Sequence, residues 1–217
     1  MNNTVSVIIA VKNAQATLVD CLDSVLRQEY PSFEVIAVND GSTDRSAEIL
    51  NGYGARIRVI THAQSVGPGG SRNRAAEQVS AESVYLAFVD ADCIAAPDWL
   101  SRLVESFAAY PQAVACGGLQ LVPEKASLFE KQVFAFMSRA GVITDYIKSS
   151  RRGLPYPVRH NPSCNSLFRI QAFREAGGFR ESLQVGEDVD LDYRLCRAGQ
   201  LLLCNPRLTE LISKGIG

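Results

Sequence analysis

Four short apolar runs dominate the first 90 residues, and segments with helical spacing or helix-capping residues follow them. The runs are VSVIIAV at residues 5–11, EVIAV at 34–38, RIRVI at 56–60 and SVYLAFV at 83–89. Nearly continuous, β-branched runs of this length are typical of strands that are covered on both faces. Parallel neighbours need crossover connections, which are commonly helices. The alternation therefore predicts an α/β fold with a mostly parallel, Rossmann-like sheet flanked by helices.

The second half of the chain has a less regular pattern. Strand-like runs occur at residues 113–122 and 165–170, with an amphipathic segment at 128–137 between them. A basic, loop-like stretch covers residues 149–163, and GEDVDLDYRLCRAG at 186–199 has the spacing of a helix. No repeat, low-complexity segment or linker interrupts the sequence, so we expect a single domain over the whole chain.

The composition excludes several classes of partner and site. The 217 residues are 47% apolar, enough for a substantial core, and the net charge of -1 gives no general reason to bind nucleic acid. The six cysteines form no CxxC pair and have no ligand-like spacing with the two histidines. Reduced, buried thiols of a cytoplasmic protein are therefore expected rather than a zinc site. No apolar run approaches the ~20 residues that cross a bilayer, which predicts a soluble chain.

Acidic side chains follow two of the predicted strands at the point where each strand ends. Asp40 follows the second run, and Asp90 and Asp92 follow the fourth. In open parallel sheets, ligands bind outside the carboxyl ends of the strands. Paired carboxylates there suit Mg²⁺ or Mn²⁺, particularly when a diphosphate supplies further oxygens. The alternative is a solvated turn or a helix cap.

Two further interpretations stay open for the segment VNDGSTD at residues 38–44. The first is turn chemistry, in which Gly41 relaxes the backbone and Ser42, Thr43 or Asp44 caps the next helix. The second is a carboxylate, Asp40, that accepts a hydrogen bond from a nucleobase at the sheet edge.

The segment GPGGSRNRAAEQV at residues 67–79 is interpreted as a glycine-rich loop that opens a helix. It lacks the GK[ST] ending of a Walker loop and the glycine spacing of a dinucleotide-binding fingerprint. Arg72 and Arg74 either meet a phosphate or lie in water on the helix surface.

The segment GEDVDLDYRL at residues 186–195 places acids at the start of a predicted helix whose Leu191 and Leu195 form a buried stripe. Acids are favoured there by the positive end of the helix dipole, which is sufficient reason for their presence. The same field tends to keep a carboxylate ionised, and an ionised aspartate facing a cleft can take a proton from a hydroxyl group.

Taken together, these segments resemble the family 2 glycosyltransferases with the GT-A fold. The resemblance rests on the order and spacing of VSVIIAVKNA, EVIAVNDGSTD, GGSRNRA, YLAFVDADC, CNSLFRIQAFREAGGF and GEDVDLDYRL. It implies an inverting, hexosyltransferase-type enzyme that moves a sugar from a nucleotide sugar, commonly a UDP-sugar, to a glycan or lipid-linked acceptor. Synthesis of a cell-surface polysaccharide or glycolipid is the implied context. The resemblance also divides the domain into a nucleotide-binding half, residues 1–122, and an acceptor-binding and catalytic half, residues 123–217.

The resemblance implies a role for each matching residue. Eight residues would contact the nucleotide sugar: Ala10, Val11, Lys12, Asp40, Arg72, Asp90, Ala91 and Asp92. Asp40 would read the base, Asp90 would lie against the ribose or the water shell of the metal, and Asp92 would bind Mn²⁺ or Mg²⁺. Asp188 is the implied general base, with Glu187 beside it as a support or acceptor contact.

The sequence departs from the family pattern in three ways. Asn39 replaces the first of two acids, the QxxRW motif of processive polymerases is absent, and no histidine follows His160 to complete a metal site. The chain also ends soon after the strand-like run QLLLC, which suggests a short or C-terminally truncated form. The absence of the QxxRW motif argues against a cellulose- or hyaluronan-type synthase.

A basic stretch that includes Arg151, Arg152, Arg159 and His160 is either a flap over the diphosphate, a contact for an anionic lipid-linked acceptor, or a solvated loop. In each case we expect a cytoplasmic protein, and contact with a lipid-linked acceptor would bring it to the inner face of the membrane. Two other functions stay open. A nucleotidyltransferase would carry a glycine-rich activating loop near its N-terminus, which AVKNAQATL does not resemble, and a degenerate nucleotide-binding scaffold would not need its acids.

Overall fold

The structure is a computed structural model that describes residues 3–118, 120–121, 128–129, 132, 153–208 and 211–213. Its first half has the predicted alternation of strands and helices. The strands are β1 (Thr4–Val11), β2 (Phe33–Asp40), β3 (Arg58–His62) and β4 (Ser83–Val89). The helices are α1 (Leu18–Leu26), α2 (Ser46–Gly52), α3 (Gly67–Glu77) and α4 (Trp99–Ala109).

These four strands are parallel, as predicted, and lie in the order β3-β2-β1-β4. Ile8 of β1 lies opposite Ile36 of β2 and Phe88 of β4. The boundaries differ in two places: β2 continues to Asp40, and β3 begins later than predicted because Gly54–Arg56 forms a short 3-10 helix. The longer β2 places the Asp40 carboxylate on the strand end itself.

Seven more strands and two more helices complete the described part of the chain. The strands are β5 (Cys93–Ala95), β6 (Ala113–Gly118), β7 (Gln120–Leu121), β8 (Tyr156–Val158), β9 (Asn165–Arg169), β10 (Leu201–Asn205) and β11 (Leu211–Ser213). The helices are α5 (Ile170–Glu175) and α6 (Glu187–Arg197). The predicted strand at 113–122 is divided between β6 and β7, which belong to different sheets.

The large sheet is mixed, with four parallel pairs of neighbouring strands and three antiparallel pairs. Its eight strands have the order β3-β2-β1-β4-β9-β6-β10-β8, and β9 is antiparallel to both β4 and β6. The β8 strand is antiparallel to β10. A smaller sheet has the order β5-β11-β7. The apolar pattern of a buried strand is the same in either direction, so the direction of β9 follows from the topology and not from its composition.

Apolar residues cover both faces of the large sheet. On one face, Val7 and Ile9 of β1 pack in a cluster with Leu22 of α1 and Trp99 of α4. On the other face, Ile8 packs in a cluster with four phenylalanines and with two leucines of α6: Phe88, Phe168, Phe173, Phe179, Leu191 and Leu195. The predicted stripe of Leu191 and Leu195 is therefore confirmed, and α6 is held firmly on the sheet.

The cysteines are free thiols, all buried except the half-buried Cys196, as expected of reduced structural thiols. Within the described ranges no helix is long and apolar enough to span a membrane. Most of the amphipathic segment at 128–137, together with Arg151 and Arg152, lies outside the described residues.

Candidate active site

A cleft of about 690 Å³ lies at the carboxyl ends of β1, β2 and β4 and at the N-termini of α3 and α6. All ten residues predicted for the site line this cleft: Ala10, Val11, Lys12, Asp40, Arg72, Asp90, Ala91, Asp92, Glu187 and Asp188. The carboxylates of the β4 loop and those of α6 are almost 100 positions apart in the sequence. The fold nevertheless brings Asp92 and Asp188 to one cavity, which is the arrangement that the proposed chemistry requires.

Hydrogen bonds to its backbone carbonyls hold the turn after β4 against α1. The carbonyl of Asp90 accepts hydrogen bonds from the N–H of Cys93 at 3.0 Å and from the thiol of Cys21 at 3.3 Å. The carbonyl of Ala91 accepts one from the hydroxyl of Thr17 at 2.9 Å. Because the backbone oxygens face α1, the loop presents Asp90 and Asp92 at the wall of the cleft.

The carboxylates of the loop after β4 can bind a hard divalent cation only if the substrate supplies further oxygen ligands. Among the described residues no group of three or more His, Cys, Asp or Glu side chains is arranged to hold a metal ion. Two carboxylates, Asp90 and Asp92, are present, and Mg²⁺ is commonly bound by one or two carboxylates together with substrate phosphates. The residues therefore fit a cation that is shared with a diphosphate.

Arg72 is a buried link between the two halves of the cleft. One terminal nitrogen donates to Asp90 Oδ1 at 2.7 Å, and the other donates to Glu187 Oε1 at 2.6 Å. The side chain is only 4% exposed, and the guanidinium lies over the ring of Phe179. Burial would lower the pKa of Arg72, but the carboxylates of Asp90 and Glu187 outweigh it and raise the pKa.

The interpretation that Arg72 lies in water is therefore wrong, whereas Arg74 is exposed as that interpretation expected. Contact of Arg72 with a phosphate stays a prediction. The guanidinium joins the loop after β4 to the start of α6, so it couples the predicted nucleotide-binding and catalytic halves.

The glycines before Arg72 allow two elements to approach closely. The segment predicted as a glycine-rich loop is in fact the first turn of α3, which begins at Gly67. A Cβ at Gly69 would lie 3.2 Å from Phe179 Cβ and 3.4 Å from Glu187 Cγ. The absence of side chains here lets α3 pack against the start of α6, which places Arg72 within reach of Glu187.

Asp40 caps α3. Its carboxylate accepts hydrogen bonds from Ser65 Oγ at 2.6 Å, from the N–H groups of Val66 at 2.8 Å and Gly67 at 3.0 Å, and it lies 3.0 Å from His62 Nδ1. The cap expected for α2 is supplied by Asp44, which accepts from the N–H of Ser46 at 2.9 Å. Asp40 thus fixes the edge of the cleft, and its contact with a nucleobase stays a prediction.

This network makes the charge of Asp40 favourable in the folded state. Burial would raise the pKa of Asp40, but the hydrogen bonds from Ser65, Val66, His62 and Gly67 outweigh it and lower the pKa to about 2. A folded-state pKa below the unfolded value contributes stability above the unfolded pKa and loses it as the pH falls through the folded pKa.

We expect Asp40→Asn to lower the free energy of unfolding at neutral pH by about 2 kcal/mol, since one pKa unit corresponds to about 1.4 kcal/mol. The difference between the variant and the wild type should shrink as the pH falls from about 4 toward 2, because the wild-type carboxylate is then protonated. Urea unfolding across this range measures the effect. Glu105→Gln, at an exposed position on α4, is the control. A difference that stays constant with pH would contradict the prediction.

The start of α6 carries the acids of the GED segment. Gly186 has a φ of 78°, a left-handed conformation that glycine adopts at little cost, and the helix begins at the next residue. Asp188 Oδ2 accepts the N–H of Ser163 at 3.1 Å, and Oδ1 accepts the N–H of Val189 at 2.8 Å. Glu187 is buried and is engaged with Arg72. This supports the predicted supporting role of Glu187 better than contact with an acceptor.

Several residues of the cleft had no signal in the sequence. Five of them lie outside helices and strands, and the sixth, Ser71, lies in α3: Asn13, Thr17, Ser65, Ser163, Gln184 and Ser71. Short polar residues in loops have no periodicity to distinguish them, and their position depends on the elements that they connect. Ser163 is the most informative of them because its N–H contacts the predicted base. The hydrogen bond from Ser163 to Asp188 forms only when α6 packs beside the loop that contains Ser163.

The chain matches the model of a family described as glycosyl transferase family 2 over residues 6–177. The chain belongs to this family. The matched range contains the β4 loop and Arg72, and it ends before Glu187 and Asp188. Their assignment rests on the sequence motif and on their position in the cleft.

Individual relatives extend the likeness over most of this family 2 chain. Poly-beta-1,6-N-acetyl-D-glucosamine synthase of Staphylococcus epidermidis is 27% identical over 194 residues, which is 88% of this chain and 45% of the synthase. S. aureus TarS in complex with UDP-GlcNAc has a TM-score of 0.77 at 18% identity, over 99% of this chain and 59% of that structure. The mannosyltransferase PcManGT from Pyrobaculum calidifontis, in complex with GDP-Man and Mn2+, has a TM-score of 0.73 at 17% identity, over 97% and 58%.

These structural likenesses confirm the GT-A fold of this family 2 member. The chain spans less than half the length of several curated relatives that it matches. The donor, the acceptor and the metal of this chain are therefore proposed below and are not taken from these relatives.

Proposed function

We propose that this protein is an inverting, metal-dependent glycosyltransferase that moves a hexose from a nucleotide sugar, most simply a UDP-sugar, to a glycan or lipid-linked acceptor. The observation that carries the proposal is the single cleft that holds Asp90 and Asp92 on one wall and Asp188 on another. Membership of glycosyl transferase family 2 supports the class of reaction. Synthesis of a cell-surface polysaccharide or glycolipid is the proposed context, and the synthase relative supports it.

The donor would lie along the carboxyl ends of β1, β2 and β4. Ala10, Val11 and Lys12 line the cleft beside Asp40, and in the proposal these four residues surround the nucleoside. Two solved structures with this fold hold UDP-GlcNAc and GDP-Man, which share a nucleoside diphosphate. In the proposal, Asp92, with Asp90 beside it, would hold Mn²⁺ or Mg²⁺, whose charge offsets the negative charge of the departing nucleotide.

The transfer itself is a displacement at the anomeric carbon. Asp188 accepts the proton of the acceptor hydroxyl, the acceptor oxygen forms its bond to the anomeric carbon, and the bond from that carbon to the diphosphate oxygen breaks. The electron pair leaves with the nucleoside diphosphate, and the configuration inverts because attack and departure occur on opposite sides. The hydrogen bonds from Ser163 and Val189 hold the Asp188 carboxylate in place at the wall of the cleft.

Release of nucleoside diphosphate tests the proposal. The purified protein is incubated with UDP-GlcNAc, other UDP-sugars and GDP-mannose, with Mn²⁺ or with a chelator, and nucleotide release is followed. We expect one class of donor to be bound and slowly hydrolysed only with the metal. If no nucleotide sugar binds or is cleaved under any of these conditions, the proposal fails and a non-catalytic nucleotide-binding scaffold becomes the better interpretation.

Asp92→Ala should remove the metal dependence of donor binding. The expected result is that the affinity for the donor no longer rises on addition of Mn²⁺, because the variant lacks a carboxylate to share the cation with the diphosphate. Isothermal titration with and without Mn²⁺ measures the effect. Glu105→Ala, at an exposed position on α4, should behave as the wild type. Unchanged metal dependence in Asp92→Ala would remove Asp92 from the metal site.

A further inference from the structure

Two carboxylates of α6 hold one loop. Asp188 and Asp192 are one helical turn apart, so they lie on the same side of the helix. Asp192 Oδ2 accepts the N–H of Asn161 at 2.7 Å and lies 2.9 Å from His160 Nδ1. Asp188 Oδ2 accepts the N–H of Ser163 at 3.1 Å. The two acids thus bind alternate backbone amides of a single segment, residues 160–163.

The same segment is anchored on its other side. Asn161 is fully buried, and its side-chain amide donates to the carbonyl of Leu203 on β10 at 3.0 Å. The carbonyl of Pro162 accepts the N–H of Asn165, the first residue of β9, at 3.1 Å. The segment therefore lies between α6 and the large sheet, and its position is set by Asp192 at one end and by β9 at the other.

The burial of Asp192 is costly, which calls for an explanation other than stability. The residue is 1% exposed, and its Oδ1 is buried without a hydrogen-bond partner among the described residues. Burial raises the pKa of Asp192, the hydrogen bonds from His160 and Asn161 oppose the rise, and the charge of Asp188 adds to it. A buried carboxylate beside another carboxylate is expensive to keep ionised. Costs of this kind concentrate at functional sites.

We propose that His160 and Asp192 are positioning residues for the transfer reaction. They hold residues 160–163 in place, so that the N–H of Ser163 fixes the orientation of the Asp188 carboxylate toward the cleft. This inference rests on the proposed function. It replaces the earlier expectation that His160 belongs to a solvated loop or to a flap over the diphosphate, because His160 is half-buried and bonded to α6.

The proposal makes a specific kinetic demand. Without the Asp192 carboxylate, residues 160–163 are no longer held in place, and one oxygen of Asp188 loses its hydrogen bond from Ser163. The nucleotide-binding wall, formed by β1, β2 and the loop after β4, keeps its contacts. A misplaced reacting group can cost about 10²-fold in rate. Asp192→Ala and His160→Leu should therefore lower kcat by about 10- to 10²-fold without changing the Kd of the donor or its KM by more than about twofold.

Conservative variants should rescue the rate. Asp192→Asn keeps an oxygen that can accept from Asn161 and His160, and His160→Asn keeps a side-chain N–H near the position of Nδ1. We expect each Asn variant to recover most of the rate that the matching Ala or Leu variant loses. Asp190→Ala is the control: Asp190 lies on the same helix, is paired with Arg194 at 2.8 Å, and does not line the cleft.

The experiment measures kcat, KM and donor Kd for the full chain and for all five variants, with urea unfolding to confirm that each is folded. A kcat within twofold of the wild type in folded Asp192→Ala, or in the half-exposed His160→Leu if the former does not fold, would overturn the proposal. So would equal losses in the Ala and Asn variants of Asp192, since a positioning role requires rescue. If the wild type itself turns over no nucleotide sugar, it is the proposed function that fails.

Discussion

Asp188→Asn should bind the nucleotide sugar with wild-type affinity and transfer its sugar about 10²- to 10⁴-fold more slowly, the usual contribution of a general base. The amide has nearly the shape of the carboxylate and can still accept the N–H of Ser163, so the structure of the cleft should persist. It cannot take a proton from the acceptor hydroxyl, because an amide oxygen is a very weak base. The rate loss should therefore fall on kcat and spare the donor KM.

Single-turnover transfer and donor titration measure this result separately. Asp190→Asn makes the same chemical change two residues further along α6, on a side of the helix that does not line the cleft, where the carboxylate is paired with Arg194 and Arg180, and it should keep near wild-type activity. A fully active Asp188→Asn enzyme would exclude Asp188 as the base and would direct attention to another carboxylate of the cleft. A variant that no longer binds donor would instead indicate that Asp188 shapes the nucleotide site.

Arg72→Met should destabilise the protein by about 3 to 5 kcal/mol, the usual effect of removing one partner from a buried ion pair. Methionine fills much of the space but leaves Glu187, which is buried, without a positive partner. Asp90 is 41% exposed and can be solvated, so most of the loss comes from Glu187. The free energy of unfolding in urea and the midpoint of the transition measure the effect.

Arg74→Met on the same helix is the matched control. Its side chain is exposed, and surface substitutions of this kind usually change stability by less than about 0.5 kcal/mol. Arg72→Lys adds a second comparison, because an ammonium group keeps the charge but cannot reproduce the forked geometry that reaches Asp90 and Glu187 together. Equal stability of Arg72→Met and Arg74→Met would contradict the link that we describe between the two halves of the cleft.

Arg72 joins the loop that would hold the metal to the helix that carries the proposed base, so the two walls of the cleft share one buried side chain. Glycine at position 69 makes this possible, because a Cβ there would press on Phe179 and Glu187. The glycine-rich segment thus allows close packing of two helices, a role that its composition alone does not indicate.

A feature of the site was predictable when the residues that determine it are close together in the sequence. The strand that ends at Val89 and the acids that follow it are local features, since a strand and its terminal turn are encoded within about ten neighbouring residues. The parallel pairing of the first four strands follows from their helical connections for the same reason. Asp40, Asp92 and Asp188 were therefore correctly expected at the edge of the sheet or at a helix start.

Three features that were mispredicted or missed depend on distant partners. The burial of Arg72 requires Glu187, 115 positions away, and the contact of Ser163 with Asp188 requires α6 to pack beside the loop. The antiparallel β9 lies between β4 and β6, which its apolar pattern alone does not indicate.

The sequence by itself thus determined the α/β class, the strand ends that carry the acids, and the resemblance to one transferase family. Only the tertiary structure decided which of those acids are paired, capped or buried. The reason is that the free energy of a charged side chain depends on its burial and on its partners, and both are properties of the folded chain.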